Sequence, residues 1–270
     1  MNAPKTTLIL GGNGKTGRRV AERLKARGLP FRLASRSTHP SFDWNDEGTW
    51  QPALRGAGAA YLTYFPDLAL PWAAEQVRRF AHQAVEAGVE KLVLLAGRGE
   101  PQVHPAEEAV RRSGAGYTIL EAAFFAQNFS EGLLAPVDGE IVFPAGDVAE
   151  PFVDVEDVAE VAVAALTDDR HLGKTYELTG PRLLTFAEAA LEIGAAAGRP
   201  MRYQPVSSEE YARVLAPYMR PEEVTFFVEL FAHLTDGHNA HLSDGVAQAL
   251  GRRPRDFREF AHAAAGAWLS

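Results

Sequence analysis

Leu8-Ile9-Leu10-Gly11-Gly12-Asn13-Gly14-Lys15-Thr16-Gly17-Arg18-Arg19-Val20 joins an apolar strand to a glycine loop and then to a helix whose inward face carries Val20, Ala21 and Leu24. Gly11, Gly14 and Gly17 give one spacing, GxxGxxG, and Gly12, Gly14 and Gly17 give another, GxGxxG. Glycines permit a tight turn and let backbone N–H groups approach phosphate, and the positive end of the following helix completes an anion site. Glycines alone are common in strand-to-helix turns. With a strand before and an amphipathic helix after, they predict a seat for the pyrophosphate of a dinucleotide, contacted by Gly11, Gly12, Asn13, Gly14, Lys15, Thr16 and Gly17.

Outward from that turn, Arg27-Gly28-Leu29-Pro30 stops the helix and Phe31 to Ser35 reads as a second strand, completing a βαβ unit. A short helix near Thr49 to Leu54 leads to a third strand, Ala59 to Tyr64. Trp72, Val77, Phe80, Ala81 and Ala84 recur at helical spacing, and Lys91 to Ala96 is a continuous apolar run of the kind that parallel sheets bury on both faces. A helix from Pro105 to Ser113 precedes a strand from Tyr117 to Ala122. This alternation predicts an α/β fold, a Rossmann-type doubly wound parallel sheet with ligands at the C-terminal strand ends. Beyond residue 130 the rhythm changes. Residues 1–150 are expected to form the NAD(P)-binding domain and residues 151–270 a smaller, mainly helical substrate lobe, with late strands free to rejoin the main sheet. In the later part, Ser207 and Glu210 have the spacing of a helix-capping box.

With 270 residues, 46% of them hydrophobic, the chain can bury a full core. A formal net charge of −8 and a pI near 5.5 disfavour nucleic acid or an anionic membrane as the main partner. The absence of cysteine excludes disulfides, thiolate metal sites and cysteine nucleophiles. The first strand begins by about residue 6, and no apolar run approaches the roughly 20 residues of a membrane span. These features lead to the expectation of a cytoplasmic protein acting on a small molecule.

Arg36 lies about 20 residues past the last loop glycine, at the end of the second strand, where NAD enzymes carry an acidic group for the ribose hydroxyls. A guanidinium there suits a 2′-phosphate, with Ser35 as a further donor and Lys15 as a second charge, so NADP(H) is favoured over NAD(H). Asp43 either accepts from the adenine amino group or caps the next turn. The strand ends supply Thr63, Tyr64 and Phe65, then Ala96 and Gly97, as further cofactor contacts. Phe124, Phe125 and Asn128 are candidate substrate contacts.

None of the seven tyrosines is followed four residues later by lysine, so the tyrosine and lysine acid pair of standard short-chain dehydrogenases is absent. Tyr64 and His104 are the remaining, weak candidates for a proton donor, and His104 reads first as a loop residue before a helix. His233, His238 and His241, with Asp236 or Asp244, lack a standard zinc spacing and are read as a loop, so no metal is expected.

Several stretches carry a family resemblance: the opening GGNGKTG, Ser35-Arg36, Phe42-Asp43-Trp44-Asn45-Asp46-Glu47, Lys91 to Ala96 and Tyr117-Thr118-Ile119-Leu120. So do Phe125-Ala126-Gln127-Asn128-Phe129, Phe152 to Ala159 and Gly251 to Phe257. Together they resemble the NmrA-like branch of atypical short-chain dehydrogenases over nearly the whole chain. The aspartate and tryptophan segment is most similar to ergot alkaloid reductases of the agroclavine dehydrogenase type. The resemblance implies NADP(H), hydride transfer to an iminium or quinone-like carbon, and a substrate pocket under the smaller lobe. The family commonly has arginine and proline after the Tyr-Thr-Ile-Leu strand, where this chain has Glu121 and Ala122, and a lysine in the preceding helix, where it has Glu107 or Glu108. An NmrA-type protein that senses NAD(P) and reports to a protein partner is the alternative.

Overall fold

The structure, a computed structural model, describes residues 5–269. The chain begins with β1 (Thr6–Leu10), α1 (Lys15–Ala26), β2 (Phe31–Ala34), α2 (Trp50–Leu54), β3 (Ala57–Leu62), α3 (Ala73–Glu86), β4 (Lys91–Gly97), α4 (His104–Arg111) and β5 (Gly116–Ala122). It then forms α5 (Asn128–Glu131), β6 (Glu140–Phe143) and β7 (Ala149–Glu150), and continues with α6 (Val155–Thr167) and β8 (Lys174–Leu178). The remainder comprises β9 (Leu184–Thr185), α7 (Phe186–Ala197), β10 (Arg202–Pro205), α8 (Ser208–Leu215), α9 (Pro221–Leu234), α10 (Gly245–Leu250) and α11 (Phe257–Ala264).

Six of these strands form one parallel sheet in the order β2-β1-β3-β4-β5-β8. Every residue of β3 is buried, as its near-continuous apolar sequence requires of a central parallel strand. Parallel neighbours need a crossover, and α6 is the longer of the two helices between β5 and β8. It packs beside α1, where Arg19 Nε donates to Glu156 at 2.6 Å and Arg23 donates to the other oxygen of the same carboxylate. The third strand ends at Leu62, two residues before its expected end. Thr63 uses its hydroxyl to donate to the Leu10 carbonyl at 3.1 Å, and β1 pairs no further than Tyr61.

Two compact units divide the chain in an interleaved way. The first takes the chain up to Ala122 together with Val155–Leu178 and Asp244–Arg252, and the second takes Ala123–Asp154, Thr179–Ser243 and the segment from Arg253 onward. A single boundary near residue 150 therefore gives way to several crossings, because β8 completes the parallel sheet and brings α6 with it. Within the second unit, Phe143, Phe152 and Phe186 form an aromatic core, with Phe143 and Phe186 stacked at 5.2 Å. The predicted box at Ser207 is present: Ser207 Oγ accepts from the Glu210 N–H at 3.1 Å, and Glu210 accepts the Ser207 N–H at 2.8 Å. No helix among the described residues is long and apolar enough to cross a membrane.

Candidate functional site

The turn between β1 and α1 is built on four glycines under different constraints. Gly11 has φ +62°, a left-handed conformation, and an added Cβ would strike the Thr63 hydroxyl. A Cβ on Gly12 would approach Leu33 to 2.7 Å, and one on Gly17 would run into the Gly11 carbonyl. These three are required by the turn's own packing. Gly14 is different: its φ of −78° and ψ of 175° suit any residue, and an added Cβ would meet only the Gly11 carbonyl, at 3.1 Å. Gly14 is the N-cap of α1, no side chain caps that helix, and its first turn has no acidic residue. The helix thus presents first-turn N–H groups and a positive dipole end beside a residue with no side chain, an arrangement that fits a pyrophosphate.

At the neighbouring strand end, Asn13 Nδ2 donates to Ser35 Oγ at 3.3 Å and to Ser37 Oγ at 3.2 Å, tying the glycine turn to the loop after β2. Arg36 is exposed, and its guanidinium lies 5.9 Å from the centre of the Phe65 ring, which is itself 68% exposed. The structure therefore brings Asn13, Ser35, Arg36 and Phe65 to one place in the first unit. Lys15 and Thr16 open α1, Thr16 buried and Lys15 half-buried. Asp43 accepts from the Asn45 N–H through its Oδ1 at 2.9 Å.

Trp44, which follows it, is a packing hub, with ring centres 5.2 Å from Phe42, 5.2 Å from Phe80 and 4.9 Å from Tyr64. Its indole N–H donates to the Thr63 carbonyl at 3.1 Å, fixing the loop after β3. Tyr64 donates its hydroxyl proton to Gln76, and burial pushes its phenol up to about 12. A phenol so held is a weak source of protons at neutral pH. His104 is exposed on the first residue of α4.

Ala96 is buried and Gly97 ends β4. A Cβ on Gly97 would collide with the Glu100 carboxylate, which folds back over the strand end. Burial, with the charge of Asp67 adding to it, pushes Glu100 up to about 8. Sequence reasoning passed over this buried acid, and also over the surroundings of Glu121, whose carboxyl is pushed up to about 7 by burial and nearby carboxylates. The sequence signal for Glu121 is a lone carboxylate closing the apolar run Ile119-Leu120.

In the second unit, Phe124 is half-buried and packs edge-on against Phe143 and Phe186, at 6.0 and 6.1 Å. Phe125 makes an isolated parallel bridge with Val153. Asn128, the first residue of α5, donates its backbone N–H to the Phe125 carbonyl at 3.0 Å. His233, Asp236 and His238 do come together, with possible ligand atoms within 4.8 Å of one another. Hydrogen bonding accounts for the contact, since Asp236 accepts both the His238 backbone N–H at 2.8 Å and its ring. His241 faces the His238 carbonyl instead, at 3.2 Å.

The description NmrA-like family matches residues 102–261, more than half of the chain. Agroclavine dehydrogenase of Claviceps fusiformis is 31% identical over 98% of this chain and 99% of its own length. NAD(P)H azoreductase of Xenophilus azovorans is 30% identical over 97% of this chain and 98% of its own. Among solved structures, the Citrobacter triphenylmethane reductase complexed with NADP(H) shares the fold, with a TM-score of 0.74 at 21% identity over 96% of this chain and 99% of that one. A six-stranded parallel sheet opened by a glycine turn, together with these matches over nearly the full length, places this chain in the NmrA-like family.

Proposed function

We propose that this chain is an NADP(H)-dependent reductase that passes hydride to a small cyclic or aromatic electrophile of the iminium or quinone class. The observation that carries the reading is Gly14. Its backbone imposes no need for glycine, yet a side chain would project beside the uncapped N-terminus of α1, where a pyrophosphate would lie. The glycine turn and α1 would hold that pyrophosphate, and Arg36 with Ser35 would hold the 2′-phosphate, with Lys15 adding positive charge. Asp43, Thr63, Tyr64, Phe65, Ala96 and Gly97 are the further proposed cofactor contacts, and Phe124, Phe125 and Asn128 the proposed substrate contacts. When bound, the reduced nicotinamide supplies the hydride. The names of the agroclavine dehydrogenase and azoreductase relatives support redox chemistry on cyclic or aromatic nitrogen compounds. The missing tyrosine and lysine pair agrees with electrophiles that accept hydride without an obligatory phenolic acid.

A spectrophotometric assay of NADPH oxidation against a panel of cyclic iminium ions and quinones tests the reading. Oxidation dependent on the electrophile is expected. Tight NADPH binding with no oxidation across both classes would contradict it and favour a dinucleotide-sensing protein.

A further inference from the structure

Away from the glycine turn, the end of α9 gathers a second group of chemistry-bearing side chains, all of them in the second unit. Among the described residues, His233, Asp236 and His238 are the one group of three imidazole or carboxylate side chains whose ligand atoms lie within 4.8 Å of one another. His233 stands in the last turn of α9, and its Nδ1 is 3.8 Å from Asp236 Oδ2. His238 Nδ1 is 2.5 Å from the other oxygen of the same carboxylate. The two imidazole rings stack with their centres 4.6 Å apart. His241, whose Nδ1 faces the His238 carbonyl, lies outside the set.

The backbone that carries these three is anchored independently of them. Thr235 is buried, and its hydroxyl lies 2.7 Å from the Phe231 carbonyl and 3.3 Å from the Pro144 carbonyl. Phe231 packs in turn on Phe143, 5.1 Å between ring centres. Gly237, at φ +96°, then reverses the chain through a conformation that side chains disfavour, and Asp236 Oδ1 accepts the His238 N–H at 2.8 Å, which turns His238 back toward His233. The three side chains remain between 33 and 49% exposed, so an ion has a way in and water a place beside it.

Two imidazoles and a carboxylate suit zinc and its transition-metal neighbours better than magnesium or calcium, which take oxygen ligands. Bond lengths of about 2.0–2.2 Å set the ligand atoms of a tetrahedral ion about 3.3–3.6 Å apart, so atoms already within 4.8 Å need only small side-chain rotations to close on one. We propose that His233, Asp236 and His238 form a site for a divalent transition-metal ion of the zinc class, which ties the last turn of α9 to the turn that follows it. The contact between His238 Nδ1 and Asp236 is a hydrogen bond as it stands. An ion between the same two atoms takes the place of that proton and lets the contact lengthen, while the imidazole keeps its proton on Nε2. The site is independent of the reductase reading above.

Calorimetric titration of the untagged full chain, treated with a chelator and dialysed, with Zn²⁺ and separately with Mg²⁺ tests the site. One Zn²⁺ per chain is expected, and no binding of Mg²⁺. Asp236→Asn, whose amide oxygen can still accept the His238 N–H, is expected to fold and to weaken Zn²⁺ at least about tenfold, since even a group that only supports a ligand costs about 10–100-fold. His238→Ala is expected to weaken it by a similar factor, and His241→Ala to bind as the wild type does. In thermal unfolding, Zn²⁺ is expected to raise the Tm of the wild type by a few degrees and to leave that of Asp236→Asn unchanged. A wild type that binds no Zn²⁺, binds Mg²⁺ as tightly, or keeps its Zn²⁺ affinity through both Asp236→Asn and His238→Ala overturns the proposal. A loss in His241→Ala as large as in His238→Ala overturns the ligand set, and a wild-type Tm that Zn²⁺ leaves unmoved overturns the tie between α9 and its turn.

Discussion

Gly14 and Gly17 stand three residues apart and answer to different constraints. A Cβ at Gly17 collides with the backbone of the turn itself, at Gly11 and Gly12, whereas a Cβ at Gly14 meets only one carbonyl. Gly17→Ala is therefore expected to destabilise the protein by about 1–3 kcal/mol, the usual effect of overpacking, read as a lowered Tm. Gly14→Val is expected to leave Tm within a few degrees of wild type while abolishing binding of both NADPH and NADH, because the branched side chain blocks the approach of the pyrophosphate. Arg36 makes the narrower claim. Arg36→Ala is expected to weaken NADPH about tenfold or more, about 1.4 kcal/mol, and to leave NADH nearly unchanged, as calorimetric titration would show. Equal losses for both would remove the 2′-phosphate assignment. Glu100 gives a pH signature. An unfolded glutamate ionises near 4.3, whereas burial holds the folded carboxyl up to about 8. Between those values the folded state binds more protons, so stability falls as pH rises through that window. Glu100→Gln is expected to reduce the difference in unfolding free energy between pH 5 and pH 8 by an amount on the order of 1 kcal/mol or more, measured by urea denaturation.

At the scale of elements, most of the first unit was legible because its signals are local. Apolar runs four to seven residues long, separated by helical spacing and glycine stops, mark β1 through β5, and Ser207 with Glu210 marks the start of α8. Ser207→Ala is accordingly expected to lower stability by about 1 kcal/mol, observable as a fall in Tm. What escaped the sequence was tertiary. Thr63 and Tyr64 read as the end of a strand, but Thr63 spends its hydroxyl on the Leu10 carbonyl and Tyr64 its proton on Gln76. Asp43 had two readings that local sequence does not separate, and in the fold its Oδ1 accepts from the Asn45 N–H. In the same way, His233, Asp236 and His238 come together through a tight turn, not a ligand spacing.

Across the whole molecule, the interleaving follows from the sheet. Adding β8 beside β5 requires a crossover, so Val155–Leu178 belongs to the first unit while the stretches before and after it build the second. Charge and composition bound the partners without choosing a substrate, and full-length similarity to redox relatives supports the nicotinamide chemistry. The central claim is that the β1–α1 turn holds a dinucleotide and that the β2 end selects its 2′-phosphate. Calorimetric titration of the purified wild type with NADPH and, separately, NADH tests this most directly. The account predicts one NADPH per chain bound at least about tenfold more tightly than NADH, a difference of about 1.4 kcal/mol. Equal affinity for the two would contradict the role of Arg36, and no binding of either would contradict the reading of the glycine turn itself.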